Sequence, residues 1–304
     1  MIKRVITLII TCLFAMTALT GCANANKQTF ENAEMTNAQA LKQTKYVRSS
    51  FYTDPYPTID IDQLSRLPVY YFSDYNSNTA RQKIADFSET LHTDDQIINE
   101  NINSVSAVFT DDELYNNTLT SELFAYAVSD IEYSYDPESD TIELDEQCKQ
   151  NIINACEKLS SIFGYDIYNS FYIRREQIYN QNDVLNADFS VIISFGNNGI
   201  NSELDKLLNY YDLSDKLEIR IQVSDGACRK LTVTKFDTDC LVKVADYDIT
   251  PIGKAFDRYP PITEPVYIVY VKDDNGFIRP VYTDQDYYKL GSFDNCQYAD
   301  ALIY

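Results

Sequence analysis

The chain has no tryptophan, one histidine and few basic residues for its acids, and each shortage removes a class of function. Without Trp the preferred stacking platform for sugars is missing, although 25 Tyr can serve in its place. A lone His92 rules out zinc sites built on several imidazoles and makes any Ser-His-Asp machine hang on one residue. Twenty-five Lys and Arg against 46 Asp and Glu give a net charge of −21, so the clustered cations that displace counterions from nucleic acid are lacking. No G-x-S-x-G elbow, P-loop or dinucleotide glycine fingerprint occurs in the 304 residues. The residues therefore spell out no reaction and call for no cofactor.

What is present is concentrated at the amino end. Lys3 and Arg4 precede an apolar run over residues 5–19, too short for a stop-transfer helix and the right length for a secretory h-region. The run closes on Leu19-Thr20-Gly21-Cys22, which resembles the lipobox of bacterial lipoproteins. That resemblance implies recognition of Leu19, Thr20 and Gly21 by a signal peptidase and diacylglycerol on the Cys22 thiol. Two or three acyl chains, at ~0.8 kcal/mol per buried CH₂, make a stable anchor to the membrane. Removal of Lys3 and Arg4 with an acid-free leader would take the net charge from −21 to −23. Such a domain is repelled by anionic surfaces within about 8–10 Å, one Debye length.

Residues 23–50 are rich in Asn, Gln, Thr and Ala and read as a tether spanning on the order of 30 Å. The sequence thus divides into a leader (1–21), a flexible tether (22–52) and an extracytoplasmic region (53–304). The polar stretch 176–186 is a candidate split within that region. The carboxyl end carries no second apolar segment, so the lipid is the one attachment the sequence predicts.

Within the folded region Pro68 opens a strand that ends near Phe72. Ala80, Ile84, Phe87 and Leu91 form one stripe of a helix over 79–91. Strands are expected at 105–109, 123–135 and 141–144, with a turn at Asp136-Pro137-Glu138-Ser139-Asp140. Cys148, Ile152, Cys156, Leu159 and Phe163 mark a second helix, and Gly164 stands where a left-handed C-cap belongs. Strand 189–195, a helix capped by Ser202 with Asp205, and strands 217–223 and 229–234 about Ser224-Asp225-Gly226 follow. Thr250-Pro251 starts a short helix, and 266–271 and 277–282 pair across Asp273-Asp274-Asn275-Gly276. Hairpins separated by single helices define the α+β class, antiparallel sheets with helices on one face and possible division into two lobes.

Leu67-Pro68-Val69-Tyr70 after the tether, and the end with Val266-Tyr267-Ile268-Val269-Tyr270 and Arg279-Pro280-Val281-Tyr282, resemble lipoproteins of low-GC Gram-positive bacteria. Their carboxyl part is similar to extracytoplasmic regulators of the YycH and YycI kind and to PepSY-type modules. The resemblance implies a non-enzymatic surface module that contacts another envelope protein.

Other candidates weigh less. Five cysteines follow the tether: Cys148, Cys156, Cys228, Cys240 and Cys296. Cys148 and Cys156 lie about 12 Å apart along one helix and cannot bridge, whereas Cys228 and Cys240 can meet across neighbouring strands. Small buried thiols are the simpler reading. His92 reads as an ordinary surface cation at a helix C-terminus. Asp74, Asn76 and Asn78 have calcium-loop spacing, but Thr79 replaces the glycine and Ala85 the bidentate glutamate. The stretch from Asp136 fails likewise at Thr141 and Gln147, so these are turns and no metal site is expected. The leading expectation is a binding or regulatory module of the envelope. A solute-binding receptor is the alternative, with a hydrolase built on two carboxylates behind it.

Overall fold

The computed structural model describes residues 59–303 except 74–76, 94–97, 111–113, 115, 118, 122–130, 140, 182–183, 256–265, 274 and 284–297. The lipobox residues, the tether, Cys296, the Asp74 stretch and most of the expected strand 123–135 lie outside the described residues.

In chain order the elements are β1 (Arg66–Phe72), α1 (Ser77–Leu91), β2 (Ile98–Asn101), β3 (Ser104–Thr110), β4 (Tyr133–Asp136), β5 (Thr141–Leu144) and α2 (Glu146–Ile162). Then come β6 (Ile167–Gln181), β7 (Val184–Gly196), α3 (Glu203–Tyr210), β8 (Lys216–Ser224), β9 (Ala227–Phe236) and β10 (Leu241–Asp248). The short helix α4 (Ile252–Ala255), β11 (Tyr267–Lys272), β12 (Phe277–Thr283) and β13 (Tyr298–Asp300) complete the set. The protein is α+β, and its strand pairs are antiparallel.

Two sheets carry it. The larger has the order β2-β3-β9-β8-β7-β6. Alternation along its strands sends Val105, Ala107 and Phe109, Leu217, Ile219 and Ile221, and Leu231 and Val233 to one face. There they bury against Phe87 and Leu91 of α1 and Ile152, Ala155, Cys156 and Leu159 of α2. Elements adjacent in sequence usually pack together, which would put α2 over the hairpins that precede it. Tyr133, Ile142 and Leu144 do pack on this core, but most of the surface under α2 comes from strands that follow it in sequence. The second sheet runs β10-β1-β12-β11, with β13 beside β12. It joins β1 to strands from the last quarter of the chain, and its core takes in Leu207, Tyr211 and Leu213 at and after α3. The stretch 176–186 lies on the β6–β7 hairpin of the larger sheet.

Three helices end alike. At α2, Gly164 N–H bonds Ser161 O and Tyr165 N–H bonds Ser160 O; at α1 the pairs are His92 to Glu89 and Thr93 to Ser88; at α3, Asp212 to Asn209 and Leu213 to Leu208. Each is a Schellman closure with a left-handed residue, φ +76° at Gly164, +51° at His92 and +56° at Asp212. Only the first uses glycine. A Cβ added at Gly164 would meet no atom within 4 Å, so Gly164→Ala isolates the backbone cost. It is expected to lose about 1 kcal/mol, and His92→Gly to gain up to about 1, read from urea denaturation midpoints. The exposed His92 is thus a helix-ending residue.

The hairpin turns also follow the sequence reading. Asp225 and Gly226, at φ +52° and +70°, form the two-residue turn between β8 and β9. Asp136 accepts Glu138 N–H at 2.9 Å and Ser139 Oγ at 2.6 Å, which uses its carboxylate in the β4–β5 turn.

The cysteines follow the simpler reading: Cys148, Cys156, Cys228 and Cys240 form no disulfide, so the alternative of a Cys228–Cys240 bridge is not realised. Cys228 enters β9 and faces the first core, while Cys240 follows the other end of that strand. At about 3.3 Å per residue, β9 itself holds them far apart. Burial pushes the thiols of Cys148, Cys156 and Cys240 up, opposite to what a nucleophile needs.

Candidate functional site

The face of the larger sheet opposite α1 and α2 is polar, because the same alternation that fills the core sends every second residue there. Register aligns Ser106, Thr234, Glu218, Ser194 and Ser170 in one row across five strands. Thr232, Arg220, Ile192 and Tyr172 form the next, and Lys230, Gln222, Ser190 and Arg174 the one after. With α3 and the β2–β3 turn as walls, these rows floor a groove of about 990 Å³.

One end of the groove is internally satisfied. Lys216, on β8, is buried and donates to the Asn209 carbonyl at 2.6 Å. Its ammonium lies 2.7 Å from Asp212 and 3.7 Å from Glu218, and 4.9 Å from the centre of the Phe236 ring. Burial alone would lower its pKa, but the two carboxylates outweigh that and hold it raised. Asp212 tolerates the left-handed position that ends α3 and supplies the counter-charge there, a role glycine cannot fill. Asn209, also buried, extends the network: its Nδ2 reaches Ser194 Oγ at 3.4 Å, and Ser194 meets Ser170 at 2.7 Å. Asn103 Nδ2 donates to the Asp212 carbonyl at 3.0 Å, tying the β2–β3 turn to α3.

The far end is different. Arg220 reaches Glu218 only at 3.8 Å, and Arg174 reaches Glu176 at the same distance, with Ser190 Oγ also donating to Glu176 at 2.9 Å. Back at the Lys216 end, close packing fixes the strand: Gly196 pairs with Lys216, and a Cβ on it would fall 2.5 Å from the Asn169 side-chain amide and 3.2 Å from the Asn198 carbonyl.

Chemically, the groove offers hydroxyls, amides and cations. The two carboxylates that line it, Asp212 and Glu218, both face Lys216, so their charge is balanced within the protein. Among the described residues no three His, Cys, Asp or Glu side chains gather to hold a metal ion, and no helix is long and apolar enough to cross a membrane. Sequence reasoning placed strands at 217–223 and 229–234 but did not single out Arg220 or Lys230. The polar positions alternating with Ile219, Ile221, Leu231 and Val233 were the available signal.

Fold and groove define an α+β protein with a polar, sheet-floored cleft. No family model matches the chain, and neither the curated proteins nor the solved structures supply a match.

Proposed function

We propose that the protein is a lipoprotein of the bacterial envelope, held at the extracytoplasmic face by acyl chains on Cys22, which binds rather than catalyses. The observation that carries the location is Leu19-Thr20-Gly21-Cys22 closing an apolar leader. The observation that supports binding is the groove, whose volume near 990 Å³ sits at the upper end of the roughly 300–1,000 Å³ typical of small-ligand clefts. That size favours the receptor form of the reading, in which a small ligand is sensed or held outside the cell. A regulatory contact with another envelope protein is the form that the YycH-, YycI- and PepSY-like resemblance supports.

The test of location is metabolic labelling with an alkyne fatty acid, followed by membrane fractionation and mass spectrometry of the amino terminus. The expected result is a mature chain starting at a diacylated Cys22, with Cys22→Ser losing label entirely. An unmodified thiol on a membrane-bound wild-type chain would overturn the lipoprotein reading.

A further inference from the structure

The chain carries 46 acids, yet five cations line the groove, Arg174, Lys206, Lys216, Arg220 and Lys230, against two carboxylates. Not all of that charge is available. Lys206 is committed to Glu203 at 2.5 Å, and Lys216 to Asp212 at 2.7 Å. Arg220 has only the 3.8 Å approach to Glu218, an acid that Lys216 shares, and Lys230 makes no ion pair among the described residues.

Strand pairing forces these two cations together. Arg220 faces Thr232 and Lys230 faces Gln222, so on one sheet face they are diagonal neighbours, their Cβ atoms roughly 7 Å apart. Both are partly buried, which leaves less water to screen their repulsion. An oxyanion seated between them removes the repulsion and accepts hydrogen bonds from a planar guanidinium and an ammonium. Beside that point Ser106, Thr232 and Thr234 present hydroxyls, and Gln222 an amide, along a groove far larger than one ion.

We infer that the groove binds a phosphate or carboxylate carried on a hydroxylated, sugar-sized body, the anion between Arg220 and Lys230 and the hydroxyls over Thr232 and Thr234. This rests on reading the groove as the binding site, and is independent of Cys22.

The experiment is calorimetric titration of the full chain in nonionic detergent with glucose 6-phosphate, glucuronate and glucose. At least one anionic probe is expected to bind roughly tenfold or more tightly than glucose, with affinity falling as sodium chloride is raised. The stronger of the two anions then distinguishes phosphate from carboxylate. Arg220→Gln and Lys230→Gln are each expected to weaken it about tenfold, with unchanged circular dichroism. Failure of both anions to bind, equal binding of glucose, or wild-type affinity in both variants would overturn the inference. Thr232→Trp, which fills the groove without changing its charge, separates the two failures. If it abolishes binding that Arg220→Gln and Lys230→Gln leave intact, the groove stands and the oxyanion falls. If all three variants bind like wild type, the ligand sits elsewhere and the groove reading falls as well.

Discussion

Replacing Lys216 by alanine is expected to cost roughly 3–5 kcal/mol, the usual penalty for stranding a buried counter-charge. The substitution leaves Asp212 and Glu218 facing each other without their cation and the Asn209 carbonyl without its donor. Lys216→Met keeps most of the stem volume, so it isolates the charge. It should recover little by itself, and much more when Asp212→Asn and Glu218→Gln remove the stranded acids, the non-additivity expected of one network. The pH dependence has a definite sign. Because the folded state holds the Lys216 pKa above its ordinary 10.5, its contribution is fully present below about pH 10.5 and is lost as pH rises through the folded value. Urea denaturation at neutral pH and near pH 11 should show wild type losing more stability than Lys216→Met across that interval. Equal losses would remove Lys216 as the cause.

Arg279→Met is expected to cost a similar amount, about 3–5 kcal/mol, for a different reason. Arg279 lies on β12, buried, with Asp273 at 3.7 Å and Asp300 of β13 at 3.5 Å. Asp273 is buried too, and its Oδ1 accepts from Asn275 N–H at 3.0 Å and Phe277 N–H at 2.9 Å, so one carboxylate closes the β11–β12 turn and balances the guanidinium. Removing the arginine leaves that acid uncompensated in the second core. Asp273→Asn keeps an acceptor for the turn and should lose only about 1–3 kcal/mol, while Asp273→Ala removes both roles and should approach the arginine variant. Thermal unfolding of the three variants, ranked, is the measurement. A cost near zero for Arg279→Met would mean that the pair is solvated in solution.

Much of this fold was readable residue by residue. Ala80, Ile84, Phe87 and Leu91 marked α1, and Ile152, Cys156 and Leu159 marked α2, because a 3.6-residue stripe depends only on neighbours in sequence. Gly164, Asp225-Gly226 and the Asp273 turn were legible for the same reason: their conformations are set within a few residues. What the sequence left open is non-local. β6 extends over fifteen residues through a segment whose Arg, Glu, Gln and Asn suggested a boundary, since pairing with β7 overrides weak strand propensity. Cys228 and Cys240 seemed able to pair because strand neighbours were unknown; the actual neighbour of Cys228 is Val223. The burial of Arg279 was not legible, because nothing nearby in sequence announces that β13 and the turn acid will enclose it.

The sequence by itself determined the α+β class, the main helices and turns, and the charge that argues against nucleic acid, because each follows from composition or from contacts within a few residues. Only the tertiary structure decided that β3 lies against β9 and β1 against β10. It also decided how α3 lies over the larger sheet, where Asn209 and Asp212 meet the buried Lys216. Strand order is fixed by which apolar faces bury together across a hundred or more residues, and alternation along a single strand says which side a residue takes but never who stands beside it.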